Sequence, residues 1–154
     1  GGEYAKGSQE FRAKIILRVA SDITSQRIWA GFTTTTQPGN SDTPIGLVAM
    51  FRYNPANTGG RWVGVVSDGT VVSGVAIIDA GVVVASTPYL LQIRYSASNV
   101  YFSVNYGQEY PIKTNIPSPS TSLAVECSIM ATSAAARSFS FSRMMCGFGT
   151  GFGT

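Results

Sequence analysis

The sequence predicts an all-β domain, a two-sheet antiparallel jelly-roll β-sandwich with extended N- and C-terminal arms. Three observations carry that expectation. Apolar and polar residues alternate with period two through most of the chain, the mark of strands that bury one face. Clusters of Gly, Pro, Asn and Asp interrupt the alternation, leaving roughly nine to twelve short strands spaced by about 8 to 15 residues. No segment combines a helix start, a 3.6-residue apolar period and a helix stop. A parallel β-helix would require a repeat of fixed period, and the repetition here is confined to Gly147-Phe148-Gly149-Thr150 and Gly151-Phe152-Gly153-Thr154.

The elements follow in order. Residues 1–9 are polar and Gly-rich and read as an N-terminal arm, ahead of a sandwich domain over residues 10–146 and a Gly/Phe-rich C-terminal arm over residues 147–154. From Phe11 to Val19 the odd positions are apolar while Arg12, Lys14 and Arg18 interleave, so one face is core and the other carries cations. Ile28, Ala30 and Phe32 alternate with Arg27, Trp29 and Gly31, and a long loop around Gln37 to Asp42 precedes a strand from Ile45 to Tyr53. Asp68-Gly69 reads as a hairpin turn of type I′, which needs positive φ at both central positions. Val71 to Val84 reads as two short strands with a turn at Asp79-Ala80-Gly81. Leu91, Ile93 and Tyr95 form the next apolar row, a turn falls at Ser98-Asn99, and Val100, Phe102 and Val104 follow before a turn near Asn105-Tyr106-Gly107. After the Pro-rich Ile116 to Pro119, Leu123, Val125, Cys127 and Ile129 alternate, and Phe139 and Phe141 sit between serines.

Composition bounds the chemistry. The chain has 154 residues, no histidine, and 12% charged residues, against an average near 25%. A length of this order lets a single domain bury about 68–70% of its unfolded surface, enough for a core without metal or several disulfides. Without imidazole there is neither a His-based triad nor a His-bearing metal site. The eight acidic residues (Glu3, Glu10, Asp22, Asp42, Asp68, Asp79, Glu109 and Glu126) stand singly, with no paired carboxylates on one strand for glycoside hydrolysis. The chain is therefore read as no enzyme, with no catalytic residue, no metal and no cofactor. Net charge is +3, from eleven Lys and Arg against eight Asp and Glu, and the cations are scattered. No apolar run reaches the roughly 18 residues that span a bilayer. Neither nucleic acid nor membrane is expected as a partner. The chain opens on Gly1 rather than Met, a processed end or a cut into a longer protein. Cys127 falls on the inward side of its row and reads as a buried free thiol, a bridge to Cys146 being the alternative.

Binding is the remaining possibility, and the aromatic residues are its best clue. Trp29 and Trp62 read as filling the space between the sheets. Tyr101, Arg94 and Asn105 share one outward face and are the ligand-binding candidates. Phe148 and Phe152, in Gly/Thr-rich sequence, read as an assembly arm that a neighbouring subunit covers, which makes a homo-oligomer the expected state.

The segments Arg27 to Phe32, Ala49 to Tyr53 and Trp62 to Gly69, followed by Tyr89 to Tyr95, Val100 to Asn105, Ile116-Pro117 and Ala134 to Arg137, resemble the concanavalin A-like jelly-roll domains of tailed-bacteriophage virion proteins. The resemblance spans about Phe11 to Arg143. It implies a structural virion protein of a tail fibre, tail tip or capsid surface, extracellular on the particle, trimeric, with other virion proteins and in some members a cell-surface glycan as partners. The chain departs from the metal-dependent lectins and the glucanases of that fold in lacking their metal cluster and catalytic carboxylates. The alternative reading is a non-catalytic carbohydrate-binding module.

Overall fold

The computed structural model describes residues 4–6, 11–24, 26–37, 41–96, 98–118, 121–131 and 139–148. Eleven strands run as β1 (Tyr4–Lys6), β2 (Phe11–Val19), β3 (Gln26–Thr33), β4 (Leu47–Tyr53), β5 (Val63–Asp68), β6 (Val72–Ala76), β7 (Pro88–Ser96), β8 (Asn99–Val104), β9 (Tyr110–Ile112), β10 (Ser122–Ala131) and β11 (Phe139–Phe148). They form a six-stranded sheet, β1-β10-β3-β4-β5-β6, and a five-stranded sheet, β11-β2-β7-β8-β9. Every pairing is antiparallel. Strands β3 to β6 and β7 to β9 follow one another as meanders, whereas β10 and β11 return from the end of the chain to lie beside β3 and β2. The result is the jelly-roll sandwich that the alternation predicts.

The inward rows make the core. Ala13, Ile15, Leu17 and Val19 of β2 and Leu91, Ile93 and Tyr95 of β7 face Ile28, Ala30 and Phe32 of β3 and Ala49, Phe51 and Tyr53 of β4, all buried. Phe102 crosses from β8 to meet Phe51 edge-on at 5.2 Å. Gly64 of β5 makes room for it: a Cβ there would lie 2.5 Å from the Phe102 ring. Trp62 packs against Phe51, Tyr53 and Tyr89 at centroid distances of 5.7–6.3 Å. The tyrosines tie the core to its loops. Tyr53 donates its hydroxyl to the Ile23 carbonyl and Tyr95 to that of Pro117, and burial pushes both phenols up to about 12, assisted at Tyr53 by Tyr89.

Several expectations are corrected in detail. Trp62 fills the space between the sheets, but Trp29 points the other way, buried with Val48, Met50, Val63 and Val65 on the outer face of the six-stranded sheet. Its odd position among the inward even residues of β3 requires this. The Asp68 turn is not type I′. Asp68 stays on its strand, only Gly69 has positive φ (96°), and the Asp68 carboxylate accepts hydrogen bonds from the Thr70 and Val71 amides. The strand expected from Ile45 begins at Leu47, after Gly46 at φ 71°. Beyond β6, the second half of Val71 to Val84 is reduced to an isolated bridge of Val82 with Arg61. Backbone pairing reaches into both terminal segments: Tyr4–Lys6 joins the edge of the six-stranded sheet on β10, and Gly147 and Phe148 pair with Arg12 and Phe11. Phe152 lies outside the described residues. Cys127 carries a free thiol that is half-buried rather than enclosed, pushed up to about 12 by desolvation and by Glu126.

Candidate functional site

The outer face of the five-stranded sheet presents its polar residues in rows set by strand register. Across β2, β7 and β8, Lys14 lies opposite Gln92, and Gln92 opposite Ser103. One step along, Arg12 pairs with Arg94 and Arg94 with Tyr101. Adjacent strands are about 4.8 Å apart and like-facing residues about 6.8 Å along a strand, so the two rows enclose a small groove. It measures about 40 Å³ and is lined by both rows together with Glu109.

Arg94 and Tyr101, singled out from the sequence, are in direct contact. The Arg94 guanidinium carbon sits 3.8 Å from the Tyr101 ring centroid, and its Nη2 donates to Glu109 Oε2 at 2.6 Å. The Glu109 hydrogen bond raises the Arg94 pKa, with a smaller contribution from Tyr101. Tyr101 is thus no bare stacking platform, since the guanidinium occupies one face of its ring. Asn105 is not among the groove's lining residues. It takes positive φ (53°) after β8, and its Oδ1 accepts from the Leu90 amide at 2.9 Å, which closes the turn.

Lys14 is the residue that sequence reasoning passed over as one cation among several. It is 8% exposed, and its ammonium stands 5.3 Å from the Tyr106 ring centroid. Its aliphatic stem is thus covered, while the ammonium, which is not among the buried unpartnered polar atoms, keeps contact with water beside the ring. No side-chain hydrogen bond joins Lys14, Gln92 or Ser103 to any described residue. The interleaved Arg12, Lys14 and Arg18 were the legible signal; nothing local marks Gln92, Ser103 or Glu109.

A second polar constellation lies on the outer face of the six-stranded sheet, and it is closed on itself. Asp42 accepts from Arg27 Nε at 2.6 Å, from Asn54 Nδ2 at 2.9 and 3.0 Å, and from Asn57 Nδ2. Its main-chain carbonyl accepts from Arg52 Nη1 at 2.5 Å, and Arg52 lies 5.8 Å from the Trp29 ring. Partial burial pulls the Asp42 carboxyl upward, but the hydrogen bonds from Asn54 and Arg27 and the charges of Arg27 and Arg52 outweigh it, leaving the pKa below its ordinary value. Gln37, 1% exposed, likewise uses its whole side chain, donating to Thr33 Oγ1 and the Thr35 and Ile45 carbonyls and accepting from the Ile45 amide.

The other described carboxylates also have local partners: Asp79 accepts from the Gln108 amide, Glu126 from the Gln37 amide, and Asp22 from Thr24. Among the described residues no three of His, Cys, Asp and Glu gather at one point. The groove, by contrast, is equipped to donate hydrogen bonds and to hold negative charge.

No protein-family model and no curated protein matches the sequence. Among solved structures the chain is similar to sheep galectin-11 in complex with glycerol, with a TM-score of 0.55, 15% identity and 94% of each chain covered. It is similar to toad ovary galectin in complex with thio-digalactose, with a TM-score of 0.57, 8% identity and 95% and 98% covered. It is similar also to the family 7 alginate lyase A1-II′, with a TM-score of 0.57 and 13% identity, where 95% of this chain matches 65% of the lyase. At such identities the likeness is one of fold: a concanavalin A-like jelly-roll sandwich, the architecture common to these lectins and to the lyase.

Proposed function

We propose that this chain is a non-catalytic carbohydrate-binding module that recognises its ligand on the outer face of the five-stranded sheet. The supporting observation is the Lys14-Gln92-Ser103 row, three polar side chains whose hydrogen-bonding capacity no described residue takes up. Its support in the fold is that galectins, one of them in complex with thio-digalactose, share it. A glycan array probed with the intact chain tests this. Retention of specific glycans, weakened about tenfold (about 1.4 kcal/mol) by Tyr101→Ala, is the expected result. Silence across the array, repeated by calorimetry, would count against it.

Subunit assembly on a particle surface is a second reading, carried by the sequence resemblance and by one observation. Val71, Val72, Ile78, Val82 and Val84 are 40–65% exposed along β6 and the segment after it, where an apolar sheet edge invites a partner. Light scattering on the intact chain and on Val72→Lys decides it: an oligomer that the substitution dissolves supports assembly, and a monomer in both opposes it.

A further inference from the structure

We infer that the groove between Lys14 and Arg94 takes the carboxylate or sulfate of an acidic saccharide, with Lys14 as its principal anion-holding residue. The inference rests on the carbohydrate reading above and names its ligand class. Size is the first argument. A water needs about 10–15 Å³ of such space, so a groove of about 40 Å³ admits a charged substituent and leaves the sugar ring outside, over the sheet. Charge is the second. With Arg12 set aside as a residue that has a partner of its own, Lys14 and Arg94 still outnumber Glu109 two to one, a net of +1. Glu109 is engaged by Arg94 at the half-exposed rim, which leaves the Lys14 end of the groove for an incoming anion.

Unfilled hydrogen bonding is the third argument and the strongest. Lys14 is 8% exposed and lines the groove, and its ammonium, still open to water, meets no acceptor among the described residues. Gln92 and Ser103, next in its row, can donate beside it. An oxygen of a bound carboxylate or sulfate would supply the missing acceptor as a charge-assisted hydrogen bond, stronger than a neutral one. A neutral hydroxyl would fit the space but would leave the charge uncompensated.

The test is calorimetric titration of the intact chain with an oligouronate, a sulfated oligosaccharide, a neutral oligosaccharide of equal length, and sodium sulfate. The expected result is that at least one acidic saccharide binds about tenfold more tightly than the neutral one, with an affinity that falls as salt rises. Lys14→Met should remove about tenfold of that affinity, and Lys14→Arg should keep it within about threefold. Which acidic saccharide binds distinguishes carboxylate from sulfate. Equal affinity for neutral and acidic saccharides, unmoved by Lys14→Met, would overturn the inference and leave the carbohydrate reading standing. Binding of no saccharide would overturn both, and sodium sulfate binding as tightly as any saccharide would overturn the saccharide assignment. Should Lys14→Met fail to give a native circular dichroism spectrum, Gln92→Ala on the same row decides: a loss confined to the acidic ligand supports the inference, and none overturns it.

Discussion

Asp42 gathers Arg27, Asn54 and Asn57 on its carboxylate and Arg52 on its main-chain carbonyl, and leaves little of its capacity unused. At Lys14, on the opposite outer face, an ammonium stands beside the Tyr106 ring and meets no acceptor among the described residues. The two sites are alike in polarity and unlike in completeness. A network closed on itself fixes a loop, since each donor and acceptor already has its partner and a ligand would have to displace one. An incomplete row leaves its donors to water, and a ligand can take them up without displacing a protein partner. Completeness, more than charge, distinguishes the Asp42 network from the row proposed to bind.

Breaking the closed network gives the largest expected effect. Asp42→Ala removes the carboxylate that receives Arg27, which is 7% exposed, together with Asn54 and Asn57. Removing one partner of a fully buried pair costs about 3–5 kcal/mol. With Asp42 itself one-fifth exposed, a loss of about 2–3 kcal/mol in urea denaturation is expected after discounting for solvent. Acid should act on the same group. The folded Asp42 carboxyl titrates below its ordinary value of 3.8, so its contribution is fully present above that value and is lost as pH falls through the lower folded one. Thermal unfolding scanned downward from pH 5 should therefore fall more steeply for the native chain than for Asp42→Asn.

The other face should respond with opposite sign. Lys14→Met removes a charge that meets no acceptor among the described residues and keeps the aliphatic stem, so its effect on stability should lie between none and a gain of about 1 kcal/mol in the same assay. A loss like that of Asp42→Ala would erase the distinction between the sites. Smallest of all is Glu109→Gln. The Arg94 pair is 27% and 46% exposed, and such surface pairs contribute about 0.2–1 kcal/mol. That substitution should leave stability almost unchanged while freeing Arg94 to strengthen any bound anion.

The fold was largely legible because its signal is local. Period-two alternation places Ile15, Leu17, Phe51, Leu91 and Phe102 inward without knowledge of partners, and the same alternation puts Trp29 outside the intersheet core, where size alone had suggested otherwise. The site was half legible. Arg94 and Tyr101 could be read as sharing a face because they lie on consecutive strands joined by a tight turn. That Arg12 and Lys14 complete the rows depends on β2 pairing with β7 across about 80 positions of chain. Asp42 joining Arg27 and Asn54 from a loop is of the same kind, a long-range meeting with no local pattern. The pairing of Phe148 with Phe11 at the end of β11 is a further long-range meeting that the Gly/Phe-rich sequence does not mark.

The central claim is that the open row, and not the closed network, is where an acidic saccharide binds. Amide and side-chain chemical shifts recorded while the intact chain is titrated with an oligouronate or a sulfated oligosaccharide address it directly. The largest changes are expected at Lys14, Gln92, Arg94 and Ser103, with Arg27, Asn54 and Asn57 unmoved. Changes centred on Arg27, Arg52 and Asn54 instead would contradict it.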